Sequence, residues 1–341
     1  MRDEHKDYPL FSVLCMVKDR AWGIKRCIDA ALAQDYPNIE IVVLDGASTD
    51  GTLEILRGYG DRIRLISEPD RGFTDAFYKV LALARGEFFC YTMSDEALLP
   101  GALMRASELL RTYPDAAAVT GDAVITDGTF NVKGTDVGGV WDFERVLCSD
   151  ALPHFAASFF RTACWHAVGT IDPIDSFEYE FWVQLGVRFP VVYVPGAMAL
   201  YAEHPDALSF KDGEYQHAMM NRIAVIDRIF SMPQGQRYAH LRSRAVSGLQ
   251  ARCAMGLANM GQAAKANELF AEALKGELSP ALKTAVATRM LFKRKEAAVG
   301  RVGSYLEKGR EEIARGILHN EGFDLETAQR IIDDLRSTSK E

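Results

Sequence analysis

The reading of one stretch decides the fold: Ile39–Leu56, IEIVVLDGASTDGTLEIL. A β-branched run, Ile39–Leu44, stops at Asp45. A loop of Gly, Ala, Ser, Thr and Asp follows, and then Leu53, Ile55, Leu56 and Tyr59 recur at helical spacing. Asp50 stands where a carboxylate caps a helix, and Gly58 or Gly60 closes it. A strand, a polar loop and a helix in succession form the crossover unit of a parallel sheet.

The same alternation extends to both sides. Phe11–Val17 (FSVLCMV) is a short apolar run suited to a buried strand, and Ile24, Ile28, Ala31 and Leu32 follow at helical spacing. Downstream, Ile63–Ile66 reads as a third strand. Phe73, Ala76, Phe77, Val80, Leu81 and Ala84 form an apolar stripe that Gly86 ends. Glu87–Met93 reads as a fourth strand, Pro100 and Gly101 open a helix to about Arg111, and Ala116–Ile125 is a fifth strand. This predicts an α/β protein with a mostly parallel sheet and helices on both faces, with ligands at the carboxyl ends of the strands. Residues 126–214 are less regular. Thr126–Val140 reads as a loop, Phe155–Arg161 as a strand, Glu178–Val187 as a helix and Val191–Tyr201 as a strand. From about residue 215 the pattern is helical, and Ser243–Gly276 reads as a single helical hairpin.

A chain of 341 residues with 48% hydrophobic and 25% charged residues is neither disordered, collagenous nor a coiled-coil rod, and its length fits about two domains. The net charge of −8 is uneven: −14 over residues 1–214, +10 over 215–310 and −4 over the remainder. An acidic front half argues against a nucleic-acid ligand. The six cysteines (15, 27, 90, 148, 164, 253) include no CxxC pair and several sit in apolar runs, so buried free thiols in a reducing compartment are expected. The charged start, MRDEHKDYPLFSV, is unlike a signal peptide, and no stretch approaches the ~18 apolar residues of a membrane span. The expected location is the cytoplasm, or the inner face of a membrane. The stretch 282–295, LKTAVATRMLFKRK, is a basic amphipathic pattern. It suits peripheral contact with anionic lipid; the competing reading is a packed surface helix with a solvated basic face.

Each strand of the front half ends in acid: Asp19, Asp45, the run Glu68-Pro69-Asp70-Arg71-Gly72, and Asp95-Glu96. Singly, such residues serve as helix caps or solvated loop groups. Together on one rim they gather like charge that a divalent cation would neutralise, and hard oxygen ligands suit Mn²⁺ or Mg²⁺ with phosphate oxygens completing the shell. The rival signatures GxGxxG, GxxxxGK[ST], HExxH and GxSxG are missing.

IEIVVLDGASTDGTLEIL (39–56), SEPDRGFTDAFYKVLALARGEFFCYTMSDEALLPGAL (67–103) and their spacing resemble inverting glycosyltransferases of family 2, in the subgroup with DGxSTDGT and SEPDxGxxDA patterns. The resemblance is strong over residues 9–125 and fainter over 150–210. It implies the GT-A fold, with 9–125 as the nucleotide-sugar-binding half and 126–214 as the acceptor-side half of a domain 1–214, followed by a helical region 215–341. It implies transfer of a sugar from a nucleotide-diphosphate sugar, a UDP-sugar by expectation, to a hydroxyl of a glycan or glycolipid. It assigns Asp45 to the nucleobase or ribose; Glu68, Asp70, Arg71 and Gly72 to the loop beside the nucleoside; and Asp75 to the sugar or diphosphate. Asp95 and Glu96 fall at the metal-binding pair, with Asp95 also near the ribose, and His204 at a late element near the diphosphate or metal. The general base matches Glu178 in the acidic–Tyr–acidic–apolar–Trp pattern EYEFW, with Glu180 the runner-up and Asp175 third; the alternative for Glu178 is a charge favouring the helix dipole. Three positions depart from the subgroup: Tyr78-Lys79-Val80 replaces Asn-Lys-Gly, Glu96 an Asp, and Glu178 an Asp. Two other functions compete. One is a non-catalytic nucleotide-sugar-binding or scaffold protein with a helical interaction tail. The other is a sugar nucleotidyltransferase, although CMVKDRAWGIK lacks the Gly-rich basic loop expected after its first strand.

Overall fold

The computed structural model describes residues 8–136, 141–148, 152–169, 177–203, 214–259, 262–280, 282–286, 311–320, 329 and 331–333. Its strands are β1 (Phe11–Val17), β2 (Ile39–Asp45), β3 (Arg64–Ser67), β4 (Phe88–Met93), β5 (Glu96–Leu98), β6 (Ala118–Asp127), β7 (Val132–Asp136), β8 (Ser158–Arg161) and β9 (Val191–Glu203). They form one sheet ordered β3-β2-β1-β4-β8-β6-β9-β5, with β7 beside β6. The α/β class holds. β3, β2, β1 and β4 run parallel, whereas β8 enters antiparallel between β4 and β6. Two reversals restore the direction, so β6 points the same way as β4, and β9 runs parallel to β6. The carboxyl ends of β1, β2, β3, β4, β6 and β9 therefore share one edge of the sheet.

Helices α1 (Ile24–Leu32), α2 (Thr52–Arg57), α3 (Phe73–Ala82) and α4 (Ala102–Thr112) lie between the strands, and the short α5 (Phe143–Leu147) and α6 (Thr162–Val168) follow. All seven residues of β1 are buried, as a strand covered on both faces requires. On one face Phe11, Val13, Cys15, Phe88 and Cys90 pack with Ile28 of α1 and Leu103 of α4. The other face is aromatic. Phe77 of α3, Tyr91 of β4, Phe155, Phe160 of β8, and Phe181 of α7 (Phe177–Gly186) interlock, with Trp165 stacked on Phe181 at 4.6 Å between centroids.

Two expectations are corrected. Thr126–Val140 is not all loop: Val132–Asp136 turns back on β6 as a hairpin. Phe155–Ala157 is a 3₁₀ turn, so only Ser158–Arg161 of the predicted strand is extended. All six cysteines are free and all but Cys164 are buried.

The chain divides into two compact units, Met1–Leu249 and Gln250–Glu341. Beyond α7 the first unit includes α8 (Glu214–Ser231), and α9 spans Arg242–Asn259. The second unit includes α10 (Ala263–Ala273) and α11 (Glu311–Asn320). Of the basic stretch 282–295 only 282–286 are described: Leu282 and Val286 are buried and Lys283 is exposed. Among the described residues no helix is long and apolar enough to cross a membrane.

Candidate active site

The β1 and β2 ends are stitched together by their own polar groups. Asp19 accepts the Thr49 N–H at 2.8 Å, and its own N–H donates to Ser48 Oγ at 2.8 Å. Asp50 accepts N–H bonds from Thr52 and Ala21, both at 3.0 Å, and so ties the start of α2 to the β1–α1 loop, while Gly51, with φ at +98°, takes the N-cap position expected of Asp50. Asp45 is fully buried; Ser67 Oγ donates to it at 2.6 Å and the Ser48 N–H at 3.2 Å. Its carboxylate thus holds the β2 loop against β3.

The loop Glu68–Gly72 is fixed by opposite charges. Lys79 Nζ lies 3.0 Å from Glu68 and 3.2 Å from Asp75, and donates to the Pro69 carbonyl at 2.8 Å. Asp75 also accepts the Arg71 backbone N–H and its guanidinium, both at 3.0 Å. These bonds, the Arg71 N–H foremost, pull the Asp75 pKa down to about 2. Asp70 accepts the Gly72 N–H at 2.8 Å, and its other oxygen abuts Gly46, where a Cβ would overlap it. Gly72, with φ at +108°, adopts a conformation open to glycine. Lys79, part of the departing triplet, is thus the clasp between this loop and α3.

The turn after β4 is built differently. Glu96 is buried at 4% exposure and accepts the Met93 N–H at 2.9 Å. Burial, and then the neighbouring Asp95, push its pKa well up. Asp95 is half-buried, and its carbonyl accepts the Ala202 N–H of β9 at 3.2 Å. A Cβ at Gly23 would overlap the Ser94 carbonyl oxygen and lie 3.9 Å from the Asp95 nitrogen, so the β1–α1 loop leans directly on this turn. Two adjacent carboxylates are the hard donors a divalent cation takes. Among the described residues no group of three or more His, Cys, Asp or Glu could hold a metal, so a cation here would draw further ligands from water or substrate. His204 and Asp175 lie outside the described residues.

Helix α7 carries the base candidates. Tyr179, Phe181, Trp182, Val183 and Leu185 are all buried, so the helix is apolar nearly all round and its orientation is fixed by packing. Tyr179 Oη donates to the Leu147 carbonyl at 2.7 Å. That orientation separates the two glutamates. Glu180 is 1% exposed and accepts Arg228 of α8 at 2.9 Å, a tie between two helices. Glu178 faces β4, with Tyr91 Oη 3.5 Å from its Oε1. It keeps water-accessible surface although protein crowds it, as a group on a cleft wall does. The crowding raises its pKa, while Arg222 and His154 act against the rise and the open side limits it.

Sequence reading missed Tyr91, His154 and Arg222. Tyr91 is buried with its pKa raised by burial and by Glu178. The His154 ring lies 5.2 Å from that of Tyr201, and Arg222 sits 5.4 Å from the Tyr179 ring. For Tyr91 a signal existed: it is the polar-tipped member of the alternating set Phe89, Tyr91, Met93.

The sheet order, together with the two solved structures below, gives the chain a GT-A-like fold. Residues 12–167 match the family model Glycosyl transferase family 2. The PGL/p-HBAD biosynthesis glycosyltransferase of Mycobacterium bovis is 27% identical over 172 residues, 49% of this chain and 64% of that protein, so the match spans just under two thirds of the relative. Hyaluronan synthase of Pasteurella multocida is 27% identical over 185 residues, 52% of this chain and 19% of that enzyme. Two solved structures share the fold. S. aureus TarS residues 1–349 in complex with UDP-GlcNAc superposes with TM-score 0.58 and 16% identity, covering 72% of this chain and 81% of that one. The mannosyltransferase PcManGT of Pyrobaculum calidifontis, with GDP-Man and Mn²⁺, gives 0.55 and 18%, covering 97% and 86%.

Proposed function

We propose that this chain is an inverting glycosyltransferase that moves a sugar from a nucleotide-diphosphate sugar, by preference a UDP-sugar, to a hydroxyl of a glycan or lipid-linked acceptor. The observation that carries the reading is the approach of Glu178 to the strand that leads into Asp95-Glu96, with Tyr91 Oη 3.5 Å from Glu178 Oε1. A base and an acidic pair on one rim is what single displacement needs. Glu178 takes the proton of the acceptor hydroxyl. The freed oxygen forms its bond to the anomeric carbon on the face opposite the breaking bond to diphosphate, which inverts the centre. Its raised pKa brings Glu178 closer to working pH, which suits a base. The loop held by Lys79 and Arg71 shapes the nucleoside side. Asp95 and Glu96 fit Mn²⁺ or Mg²⁺, which when bound would neutralise the departing diphosphate. The ligands named for the two structural neighbours, UDP-GlcNAc in one and GDP-Man with Mn²⁺ in the other, support this donor class. The names of the relatives support polysaccharide or glycolipid synthesis.

The test is a thermal-shift screen of nucleotides and nucleotide sugars with and without Mn²⁺. A bound ligand at 100 times its Kd adds about 2.7 kcal/mol to stability. A metal-dependent rise with one base is expected; no rise with any nucleotide sinks the proposal.

A further inference from the structure

One exposed aromatic group on the acidic rim has no part in the chemistry above. Trp22, in the β1–α1 loop, is 50% exposed, unusual for so large an apolar side chain. Its neighbour Gly23 packs on the Ser94–Asp95 turn, which pins Trp22 beside the acidic pair. From the other side comes the β6–β7 hairpin, whose tip lies on the same edge because β6 points the way β4 does. Phe130 at that tip stands 6.5 Å from Trp22 between ring centroids, tilted by 45°. The Arg26 guanidinium covers the Phe130 ring at 3.6 Å.

The tip is built to hold Phe130 there. Its φ is +66°, a conformation that costs a side-chain-bearing residue. The Asp127 carboxylate sustains it by accepting from the Thr129 and Asn131 N–H groups at 2.8 and 3.0 Å, from Thr129 Oγ1 at 2.7 Å and from Asn131 Nδ2 at 3.0 Å. Val132 beyond it is 70% exposed. The exposed apolar groups here are Trp22 and Val132, with Phe130 half-buried beneath the Arg26 guanidinium.

We propose that Trp22, buttressed by Phe130, forms a stacking platform for a pyranose ring of the acceptor saccharide, an assignment that rests on the transferase reading. The C–H face of a pyranose is flat and apolar while its hydroxyls lie at the ring edge, so it matches an exposed indole with solvent around it. The openness favours the acceptor over the donor: a small-molecule site encloses most of its ligand, whereas a glycan chain must extend beyond the reacting sugar. Trp22 is a specificity-determining residue here and takes no part in bond making.

The test probes the full chain on an array of immobilised oligosaccharides, with UDP and Mn²⁺ present, and measures UDP affinity separately by calorimetry. The expected result is retention on one class of pyranose-containing oligosaccharide. Trp22→Ala weakens it about tenfold and Trp22→Phe less, with UDP affinity within about twofold of the starting protein. Equal melting temperatures establish that the variants fold. Glycan binding unaffected by Trp22→Ala overturns the platform. So does a parallel loss of UDP affinity, which would put Trp22 under the nucleobase, and so does the absence of any retained glycan. If glycans bind through Trp22 while no nucleotide binds, the platform stands and the transferase reading falls.

Discussion

The loop Glu68–Asp75 and the turn Ser94–Glu96 both gather carboxylates on the same rim, yet they handle the charge in opposite ways. In the loop every acid has a cation or an N–H within reach, and the Asp75 pKa is pulled down to about 2. In the turn the dominant influences on Glu96 are burial and a second carboxylate, and its pKa is driven up. A charge cluster that is already balanced does structural work. One whose balance is unfavourable is poised for an external cation or for a proton. Glu180 and Glu178 repeat the contrast on a single helix: the first is matched by Arg228, the second faces a tyrosine and water.

The sharpest way to break that contrast is Glu178→Gln. Transfer activity should fall by about 10²–10⁴, while the melting temperature at pH 8 stays level or rises, because a crowded carboxylate is lost. Unchanged turnover in an acceptor assay would remove Glu178 from the mechanism. Gly23→Ala comes next. A methyl group there overlaps the Ser94 carbonyl, and a loss of about 1–3 kcal/mol is expected in denaturant melts together with weaker metal-dependent nucleotide binding. Intact stability would mean that the β1–α1 loop does not brace the turn.

Lys79→Met tests the balanced side. Its ion pairs with Glu68 and Asp75 lie at the surface, so global stability should change little. Nucleotide affinity should drop several-fold as the loop loosens, with a weaker dependence on salt than in the parent. A drop confined to turnover would contradict the assignment of this loop to binding. The smallest effect is in the pH profile. Glu96 and Glu178 have raised pKa values, so they stabilise the fold at low pH and less as pH rises through those values; Asp75 works oppositely, its contribution fading as pH falls toward 2. Melting curves between pH 5 and 9 should decline more steeply without Mn²⁺ than with it.

Much of this was legible in local pattern. The first four strands and the acids that end them follow from apolar runs broken by polar loops, because each strand is short and β1, β2 and β3 are each followed by a helix. The β6–β7 hairpin was missed because VKGTD carries little apolar alternation; it is held by pairing with β6, which is tertiary. The choice between Glu178 and Glu180 was open for a similar reason. Spacing two apart on a helix says that they face different ways, but only the aromatic box and Arg228 decide which way each faces. Tyr91 borders Glu178 while His154 and Arg222 act on it through their charge, and no local pattern encodes that arrangement of separate elements.

The antiparallel insertion of β8 has a consequence for how this chain can be cut or recombined. Phe88 and Phe89 of β4 pair with Arg161 and Phe160, so a fragment ending near residue 125 would leave an apolar strand with an open backbone edge. Such an edge invites intermolecular pairing. Exchange of the downstream half between related proteins therefore has to carry a strand that fits the upstream half, and the two parts are expected to melt in one cooperative transition.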